Sequence, residues 1–335
     1  MKTLLVGCGG IAQVHAQALH QLGREIVGFA DIRPERAQNM AAVYGGRAYA
    51  SLDDMLANEQ ADVLHICTPH YLHVPMAVQA LEKGLHVLME KPPAIHQEEE
   101  SRLLQARDQA KKQVGVCFQN RYNPATVHAR NFLQTGELGA VKGARAFVTW
   151  KRDEPYYTES GWRGTWKTEG GGVLINQSIH TLDLLCYLLG DPVQVSATTA
   201  NHHLKGVIEV EDSAEAYITF AGGQTALFYA TTAHCTDAPV YLQLVCEKGT
   251  VTMEGDDLTI VGENGYRTHT HFAPLHHVGK DCWGASHLML MQDFYDCIAQ
   301  GKPFKIPYEE ACRTLNLMLG IYESDRTGQA VPCHR

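Results

Sequence analysis

The chain has 335 residues, of which 45% are hydrophobic and 19% are charged. At roughly 150 residues per domain, this indicates two folded domains rather than a disordered or fibrous chain. The 28 basic against 37 acidic residues leave a formal charge of -9, so we expect no nucleic-acid partner. No apolar run approaches the ~18 residues that span a bilayer, and no signal-type segment opens the sequence. We therefore expect a cytoplasmic protein without a membrane partner.

The cysteines and histidines raise the question of a metal or disulfide framework. The 10 cysteines contain no C-x-x-C pair, which favours reduced, mostly buried thiols. Among the 18 histidines, His269 with His271 and His276 with His277 are locally grouped. No carboxylate or cysteine stands near them at ligand spacing, so a polar loop is the better interpretation. We expect no metal site.

The first 120 residues alternate short apolar runs with helical stretches, which is typical of a parallel sheet covered by helices. The predicted strands are Thr3 to Gly7, Ile26 to Asp31, Val63 to Thr68, His86 to Glu90 and Val114 to Phe118. The predicted helices are Ile11 to Leu22, Pro34 to Tyr44, Tyr71 to Lys83 and Gln97 to Lys112. The order is therefore β-α-β-α throughout.

The pattern changes from about Asn123, where a predicted helix runs to Gln134. Alternating apolar residues then predict antiparallel strands, and two helical segments close the chain. These strands are Ala214 to Phe220, Thr225 to Thr231 and Val240 to Val245, and the helices are Ser286 to Ala299 and Tyr308 to Thr327. Because the boundary near residue 120 lacks linker composition, we expect domains over 1–120 and 121–335 that pack directly, with a ligand cleft between them.

A dinucleotide signal follows the first predicted strand. The stretch from Gly7 to Ala12 reads G-x-G-x-x-A and includes Gly10 and Ile11. Gly7 permits the tight turn, Gly9 lets the backbone approach a pyrophosphate, and the helix N-terminus faces the anion. Asp31 ends the second strand, where a carboxylate accepts hydrogen bonds from both ribose hydroxyls. A plain tight turn is the alternative interpretation of the glycines, but the turn together with the acid favours a dinucleotide.

Asp31 also favours NAD over NADP, because a carboxylate would repel a 2′-phosphate. Arg33 tempers this preference, since a guanidinium can reach such a phosphate, although a solvated Arg33 is the better interpretation. We expect an N-terminal α/β domain of Rossmann type with a doubly wound, mostly parallel sheet. A C-terminal α+β domain with a large, mainly antiparallel sheet should follow it.

Two further motifs reveal a family resemblance. Glu90-Lys91-Pro92 follows a buried strand, and a G-G-G-x-L-x-N-x-x-x-H run extends from Gly170 to His180. Together with the glycine fingerprint, the chain resembles the Gfo/Idh/MocA family of NAD(P)-dependent oxidoreductases over essentially its whole length. The resemblance implies a cis peptide before Pro92 and assembly into homodimers or homotetramers.

Lys91 and His180 carry the expected chemistry. Lys91 lies at the carboxyl edge of the predicted sheet, where ligands of doubly wound folds bind. The resemblance implies that Lys91 orients the substrate and assists proton transfer, and that His180 is the acid or base. The alternative for His180 is a structural histidine beside an apolar helix face. Asn176, His180, Asp183 and Tyr187 are spaced as one stripe on a predicted helix.

Asn176 departs from the family pattern, because its cyclitol dehydrogenases generally carry Asp there. An amide cannot take a proton, but it can hydrogen-bond a substrate hydroxyl by donor and acceptor. We therefore place Asn176 with Lys91 and His180 as catalytic and substrate-binding residues. His70 is a second departure, since relatives often have Asn at this place. Asp183 either orients the imidazole or forms a core hydrogen bond, and we favour the core.

The remaining expected contacts are spread over both domains. For the cofactor, we expect contacts from Gly7, Gly9, Gly10, Ile11, Asp31, Thr68, His73, Glu90, Lys91, Asn120, Trp162 and Arg163. For the substrate, beside the catalytic residues, we expect Arg121, Tyr122 and Tyr157, since aromatic faces and forked donors suit a polyhydroxylated ring. Loop packing is the alternative interpretation for Tyr156 and Tyr157.

The expected reaction is NAD-dependent oxidation of a secondary alcohol of a sugar, sugar derivative or cyclitol, or reduction of the ketone. One alternative uses the same site for transient oxidation by bound NAD, which drives elimination or glycoside cleavage without net redox. A second alternative is a non-enzymatic, NAD-binding regulatory protein, which the presence of both Lys91 and His180 disfavours. No residue separates the first alternative from the dehydrogenase.

Overall fold

The computed structural model of the chain describes residues 1–272 and 286–333. These residues form two compact units. The first unit contains Met1–Gln119 with the described part of Leu275–Cys312, and the second contains the described parts of Asn120–Pro274 and Arg313–Arg335. This division differs from the expected 1–120 and 121–335, because the chain returns to the first unit near its C-terminal end.

A six-stranded parallel sheet forms the centre of the first unit. Its strands lie in the order β3-β2-β1-β4-β5-β6, so the direction of winding reverses at β1. Ligands of doubly wound sheets bind at the carboxyl ends of the strands beside such a reversal. The strands are β1 (Lys2–Val6), β2 (Glu25–Ala30), β3 (Arg47–Tyr49), β4 (Val63–Ile66), β5 (His86–Met89) and β6 (Val114–Val116).

Five helices connect these strands: α1 (Gly10–Gln21), α2 (Pro34–Tyr44), α3 (Leu52–Asn58), α4 (His73–Glu82) and α5 (Gln97–Ala110). Pro34 is the first residue of α2, where a helix needs no backbone donor. Ser51 caps α3 by accepting a hydrogen bond from the backbone N–H of Asp54. The central strands are buried on both faces, as their continuous apolar runs predict.

The second unit contains a nine-stranded sheet in the order β14-β13-β12-β11-β7-β10-β9-β8-β15. Neighbouring strands are antiparallel except β10 and β7, which are parallel. The strands are β7 (Val141–Thr149), β8 (Pro192–Ala200), β9 (Ser213–Phe220), β10 (Thr225–Thr231), β11 (Tyr241–Cys246), β12 (Gly249–Glu254), β13 (Asp257–Gly262), β14 (Arg267–His271) and β15 (Val331–Pro332). Along β9 and β10 buried and exposed residues alternate, so the sheet has one core face and one outer face.

The remaining helices are α6 (Pro124–Gln134), α7 (Glu154–Thr158), α8 (Ile179–Leu189), α9 (His287–Gln300) and α10 (Tyr308–Thr327). α9 belongs to the first unit, and the division between the units falls within α10. Tyr295 on α9 explains the return of the chain, because its hydroxyl hydrogen-bonds Thr3 of β1 at 2.7 Å and His65 of β4 at 3.0 Å. The predicted fold class is confirmed.

Two expectations from the sequence concern the cysteines and membrane-spanning helices. No disulfide links the nine cysteines in the described part of the chain, and six of the nine are buried. Among the same residues, no helix combines the length and apolar character needed to cross a bilayer.

Candidate active site

The glycine-rich turn between β1 and α1 has the geometry of an anion site. Gly7 has φ +85°, and a Cβ there would lie 2.6 Å from the backbone carbonyl carbon and oxygen of Cys67, so glycine is required. A Cβ at Gly9 would meet no atom within 4 Å. Gly10 and Ile11 open α1, whose first N–H groups point out of the helix end. The turn therefore leaves open space at a helix N-terminus.

Asp31 stands directly after β2, beside this turn. Its Oδ2 accepts a hydrogen bond from the backbone N–H of Cys8 at 2.7 Å, and its Oδ1 accepts one from the N–H of Arg33 at 2.8 Å. The backbone N–H of Gly7 in turn donates to the carbonyl oxygen of Ala30 at 2.8 Å. The carboxylate is thus fixed at the end of the strand, in the place from which an acidic residue binds ribose hydroxyls.

Thr68 lies on the other side of the glycine turn, after β4. Its backbone nitrogen is 2.7 Å from the position of a Cβ at Gly7. The Thr68 hydroxyl oxygen is buried and has no hydrogen-bond partner among the described residues. Because buried polar atoms are normally paired, this hydroxyl is suited to a bound ligand. With the open space at Gly9 and the carboxylate of Asp31, it makes a site that fits a dinucleotide.

His73 was expected to bind the cofactor, and the structure gives it another role. It is completely buried, and both ring nitrogens face backbone carbonyl oxygens: Nδ1 that of Pro92 at 2.9 Å and Nε2 that of Thr68 at 3.0 Å. Burial lowers the pKa of His73. The imidazole therefore links the loop after β4 to the loop after β5, and its nitrogens are occupied by the protein itself.

Glu90, a second expected cofactor contact, has structural partners, and its cofactor role stays a prediction. Its side chain points into the unit, where Oε1 lies 3.0 Å from His15 Nε2 and 3.3 Å from His287 Nε2. Burial acts to raise the pKa of this carboxyl, but the hydrogen bonds from the two imidazoles outweigh it and hold the pKa well below its usual range. Glu90 is therefore part of a buried structural network, which continues from His15 Nδ1 to His65 Nδ1 at 2.8 Å.

This network also contains a geometric candidate for a metal. One donor atom each of His15, Glu90 and Cys117 lies within 4.8 Å of the others, and all three residues are buried. The Glu90 oxygen already accepts hydrogen bonds from two imidazoles. The hydrogen-bond network therefore accounts for the cluster without an ion.

The histidines of β14 correct one detail of the sequence interpretation. A carboxylate does stand beside them, supplied by the neighbouring strand: Asp257 Oδ1 is 3.3 Å from His269 Nε2 and 3.0 Å from His271 Nδ1. All three side chains are substantially exposed, so these surface contacts have small energetic weight. His276 and His277 lie outside the described residues.

Lys91 follows β5 and Glu90 at the carboxyl edge of the first sheet, and its side chain is half-buried. The Lys91-Pro92 peptide is cis, as the family resemblance implies. Through the Pro92 carbonyl oxygen, His73 holds the backbone next to Lys91. Lys91 thus stands at the same edge of the sheet as the glycine turn, Asp31 and Thr68.

In the second unit, the glycine run 170–172 precedes a series of turns rather than a helix. α8 begins only at Ile179, so the expected helical stripe starts too early and Asn176 lies in the turns before the helix. Gly171 has φ +154°, and a Cβ at Gly172 would collide with the backbone carbonyl oxygen of Glu211. These backbone requirements explain why no helix runs through the glycine run itself. His180 is the second residue of the helix and is half-buried.

Asn176 is part of a polar cluster in the second unit. Its Nδ2 donates to Glu169 Oε1 at 2.5 Å and lies 3.3 Å from the Tyr156 hydroxyl oxygen. The same hydroxyl oxygen accepts from Gln177 Nε2 at 3.0 Å, and the Arg163 guanidinium lies 4.3 Å from the centre of the Tyr156 ring. We refer to these five residues as the Asn176 cluster.

Sequence reasoning missed the two buried carboxyls of this region. Glu169 and Glu211 are almost fully buried, and burial raises the pKa of each to about 7. Glu211 accepts hydrogen bonds from the backbone N–H groups of Gly172 and Leu174 and from the Tyr322 hydroxyl. An acid directly before a glycine run, as in Glu169-Gly170, is the signal that was available. Glu211 had no comparable local signal.

Arg121, an expected substrate contact, forms a buried ion pair, and its substrate role stays a prediction. Its Nε and Nη2 form a bidentate pair with Asp183 at 2.8 and 2.6 Å, and both side chains are buried. Asp183 Oδ1 also accepts from the Thr314 hydroxyl at 3.1 Å. The guanidinium charge is therefore neutralised within the unit. For Asp183, the favoured alternative of a core hydrogen bond is the one that this geometry supports.

Tyr157 is a second expected substrate contact with a structural role. It is only 3% exposed and packs with Ile208 and Val210 in a small core cluster, which favours the alternative of packing for this ring. The adjacent Tyr156 is the tyrosine that contacts Asn176. Sequence could not separate the two, because a short helix turns neighbouring side chains to different faces.

The expected roles of Asn120, Tyr122, Trp162 and Arg163 stay predictions. Asn120 and Tyr122 lie in a 3-10 turn, Gln119–Tyr122, at the start of the second unit. The Arg163 guanidinium stacks on Trp162 with 4.9 Å to the ring centre. Arg163 Nε is buried without a hydrogen-bond partner among the described residues, which suits a ligand acceptor.

Comparisons with known proteins agree with both units. Residues 1–118 match the family model described as the oxidoreductase family, NAD-binding Rossmann fold, and residues 126–252 match the GFO/IDH/MocA C-terminal domain. The chain is 26% identical to the uncharacterized oxidoreductase ORF334 of Rhizobium meliloti, over 97% of this chain and 96% of that protein. It is 31% identical to the D-glucoside 3-dehydrogenase of Escherichia coli (strain K12), over 57% of this chain and 55% of that enzyme.

Among solved structures, the chain is similar to the WlbA dehydrogenase from Bordetella pertussis in complex with NADH and UDP-GlcNAcA. The TM-score is 0.86 and the sequence identity is 31%, and the match covers 100% of this chain and 99% of that one.

Proposed function

Because the chain belongs to the Gfo/Idh/MocA family of oxidoreductases, we propose that it oxidises a secondary alcohol of a sugar, sugar derivative or cyclitol with NAD, or reduces the corresponding ketone. The observation that carries this proposal is the dinucleotide site of the first unit. It combines the open glycine turn, the fixed carboxylate of Asp31 and the buried hydroxyl of Thr68, which has no partner in the described part of the chain.

The preference for NAD over NADP rests on Asp31. Its carboxylate is held beside the turn by the N–H of Cys8, so it cannot move aside for a 2′-phosphate without losing that hydrogen bond. A phosphate there would place two anionic groups together, which is unfavourable at this range. Arg33 donates its backbone N–H to the same carboxylate.

The chemistry is assigned to three side chains. The cofactor supplies the hydride acceptor. His180 takes the proton of the reacting hydroxyl in oxidation and returns it in reduction, since an imidazole titrates near neutral pH. Lys91 donates a hydrogen bond to the reacting oxygen, and Asn176 hydrogen-bonds a neighbouring hydroxyl.

A polyhydroxylated ring is the substrate class that the composition of the second unit supports. The Asn176 cluster combines an amide, a phenol and a guanidinium with an aromatic face, and sugars present hydroxyls beside apolar C–H faces. Relatives named as dehydrogenases of glucosides and inositol agree with this class. The WlbA structure contains a nucleotide sugar acid, so charged sugars belong in the test.

The test is a panel of inositols, hexoses, uronates, glycosides and nucleotide sugars, assayed for reduced cofactor with NAD and NADP separately. The proposal expects turnover of at least one polyhydroxylated ring, with NAD preferred. Lys91→Ala and His180→Gln should abolish turnover while the melting temperature persists, and NAD binding should persist in His180→Gln. A panel without turnover, or variants with full activity, would count against the proposal.

Assembly into a homodimer or homotetramer is proposed on the outer face of the second sheet. On adjacent strands, exposed Tyr217 lies opposite Leu227, and exposed Tyr229 lies opposite Phe147. Exposed apolar side chains grouped on adjacent strands are typical of an interaction surface. Light scattering should give a dimer or tetramer mass, and Leu227→Glu should lower it; a monomeric wild type would contradict the proposal. The cytoplasmic location stays a prediction from the sequence.

A further inference from the structure

Glu169 has an unusual position for an acidic residue. It has no exposed surface, and it precedes the glycine run before Asn176. Its Oε2 accepts a hydrogen bond from the backbone N–H of Gly164 at 2.5 Å, and its Oε1 accepts one from Asn176 Nδ2 at 2.5 Å. A buried carboxyl is costly to the fold unless its partners hold it, and Gly164 and Asn176 supply these partners.

The carboxylate decides which way the Asn176 amide faces. An ionised carboxyl can only accept hydrogen bonds, so the amide must present its NH2 group to Glu169. The Tyr156 hydroxyl oxygen, 3.3 Å from the same nitrogen, reinforces this orientation. Because the amide group is planar, its carbonyl oxygen lies on the other side of the group from the NH2 and points away from Glu169. A hydrogen bond from the NH2 group to a charged acceptor also polarises the amide and makes that oxygen a better acceptor.

The surroundings of Glu169 set its ionisation. Burial raises the pKa to about 7, opposed by the hydrogen bonds from Gly164 and Asn176 and by the charge of Arg163. The titratable and charged groups that face it are Arg163 from the preceding loop, Tyr156 and Tyr157 of α7, Glu211 before β9 and Tyr322 of α10. A protonated Glu169 carries an O–H donor as well as an acceptor, so either the NH2 group or the carbonyl oxygen of Asn176 could then face it.

We propose that Glu169 is a positioning residue, which fixes the Asn176 side chain so that its carbonyl oxygen accepts a hydrogen bond from a substrate hydroxyl. This inference rests on the proposed function of Asn176 as a substrate contact. In this orientation, Asn176 accepts a hydrogen bond from the substrate as an aspartate would. The negative charge is carried by Glu169, which contacts the other end of the amide. The substrate is a ring with a hydroxyl donor next to the reacting alcohol.

The first test needs no substrate. The side-chain NH2 signals of Asn176 in the nitrogen-15 NMR spectrum are assigned as the pair that disappears in Asn176→Asp. In wild type these signals should shift on titration through about pH 7, as Glu169 ionises. The shift should vanish in Glu169→Gln and persist in Glu211→Gln, which removes a carboxyl of equal burial and similar pKa with different partners. Signals that titrate unchanged in Glu169→Gln overturn the inference.

The second test uses a substrate found with the panel and exchanges the two side chains. Glu169→Gln frees the amide, and Asn176→Asp sets two carboxyls against each other, so each should raise KM about tenfold with NAD affinity unchanged. The double variant Glu169→Gln with Asn176→Asp restores a donor facing an acceptor, so it should recover most of the loss. No recovery, or single variants with wild-type KM, contradicts the inference.

These two tests separate the inference from the proposed function. A wild type without NAD-dependent turnover refutes the proposed function, whereas the NMR titration still decides the orientation of the amide. If the wild type is active and the Glu169→Gln variant has the same KM, the inference is refuted while the proposed function stands. Melting temperatures of all variants show that each is folded in the assay.

Discussion

The carboxylate of Asp31 accepts a hydrogen bond of 2.7 Å from the backbone N–H of Cys8, inside the glycine-rich turn. This contact joins the end of β2 to the turn that starts α1, so the acid proposed to bind the ribose and the turn proposed to bind the pyrophosphate are directly connected. A change at Asp31 therefore affects both the charge at the site and the shape of the turn.

Variants of Asp31 should separate these two effects. Asp31→Asn keeps an acceptor for the Cys8 N–H but removes the charge, so we expect a modest loss of NAD affinity and a clear gain for NADP. Asp31→Ala removes both, and NAD affinity should fall roughly tenfold to a hundredfold. Titration calorimetry with each cofactor measures these affinities. Arg33→Ala is the matched control and should keep the wild-type affinity for NAD. An Asp31→Asn variant with the wild-type preference for NAD over NADP would contradict the role given to the carboxylate.

Gly7 and Gly9 provide a matched pair of alanine substitutions. Gly7→Ala forces a Cβ to 2.6 Å from the Cys67 backbone at φ +85°, so the free energy of unfolding should fall by about 2 kcal/mol or more. Gly9→Ala meets no protein atom, so stability should hold while NAD affinity falls at least about tenfold, because the methyl group occupies the pyrophosphate approach. Urea unfolding and NAD titration distinguish the two. Full NAD affinity in Gly9→Ala would place the pyrophosphate elsewhere.

Glu90→Ala should act on stability. It leaves the buried imidazoles of His15 and His287 without their shared acceptor, which should cost about 3 kcal/mol in the free energy of unfolding. Glu98→Ala on the exposed side of α5 is the control and should change stability by less than about 0.5 kcal/mol. A Glu90→Ala protein of normal stability with weakened NAD binding would instead restore the cofactor role expected from the sequence.

The raised pKa values of Glu169 and Glu211 predict a pH dependence of stability. Between about pH 4.5 and about 7 the folded chain holds protons on these carboxyls that the unfolded chain has released, so the free energy of unfolding falls as pH rises through this range. From about pH 6 to about pH 8 each carboxyl should contribute a loss of about 1.4 kcal/mol. Urea unfolding at both pH values should show this loss in wild type and less of it in Glu169→Gln and Glu211→Gln. Equal pH dependence in all three proteins would contradict the assignment.

The sequence predicted the local elements well. The bounds of α2, α10 and β10 agree with the structure, because each begins and ends at strong local signals such as Pro34. The short strand β3 and helix α3 were missed, since three and seven residues give little periodicity. The parallel pairing of β7 with β10 could not be predicted, because strand periodicity says nothing about which strand is the neighbour.

The candidate site shows the same difference between local signals, which sequence reveals, and contacts between distant residues, which it does not. Gly7, Asp31 and Lys91 could be placed from sequence because a turn, a strand end and a motif define their surroundings. The structural contacts of Glu90 and Arg121 could not be predicted, because their partners His287 and Asp183 are distant in the chain. Asn176 was placed on a helix because its apolar neighbours have helical spacing, whereas the glycine run before it requires turns.

The most direct measurement of the central claim is the stoichiometry of the reaction with a substrate found in the panel. NADH formed and substrate consumed are followed together with excess NAD, and the ketone is identified as the product. The dehydrogenase assignment predicts one NADH for each substrate molecule, and no NADH from His180→Gln. Product that accumulates while NADH stays at or below the enzyme concentration would contradict it and identify transient oxidation without net redox.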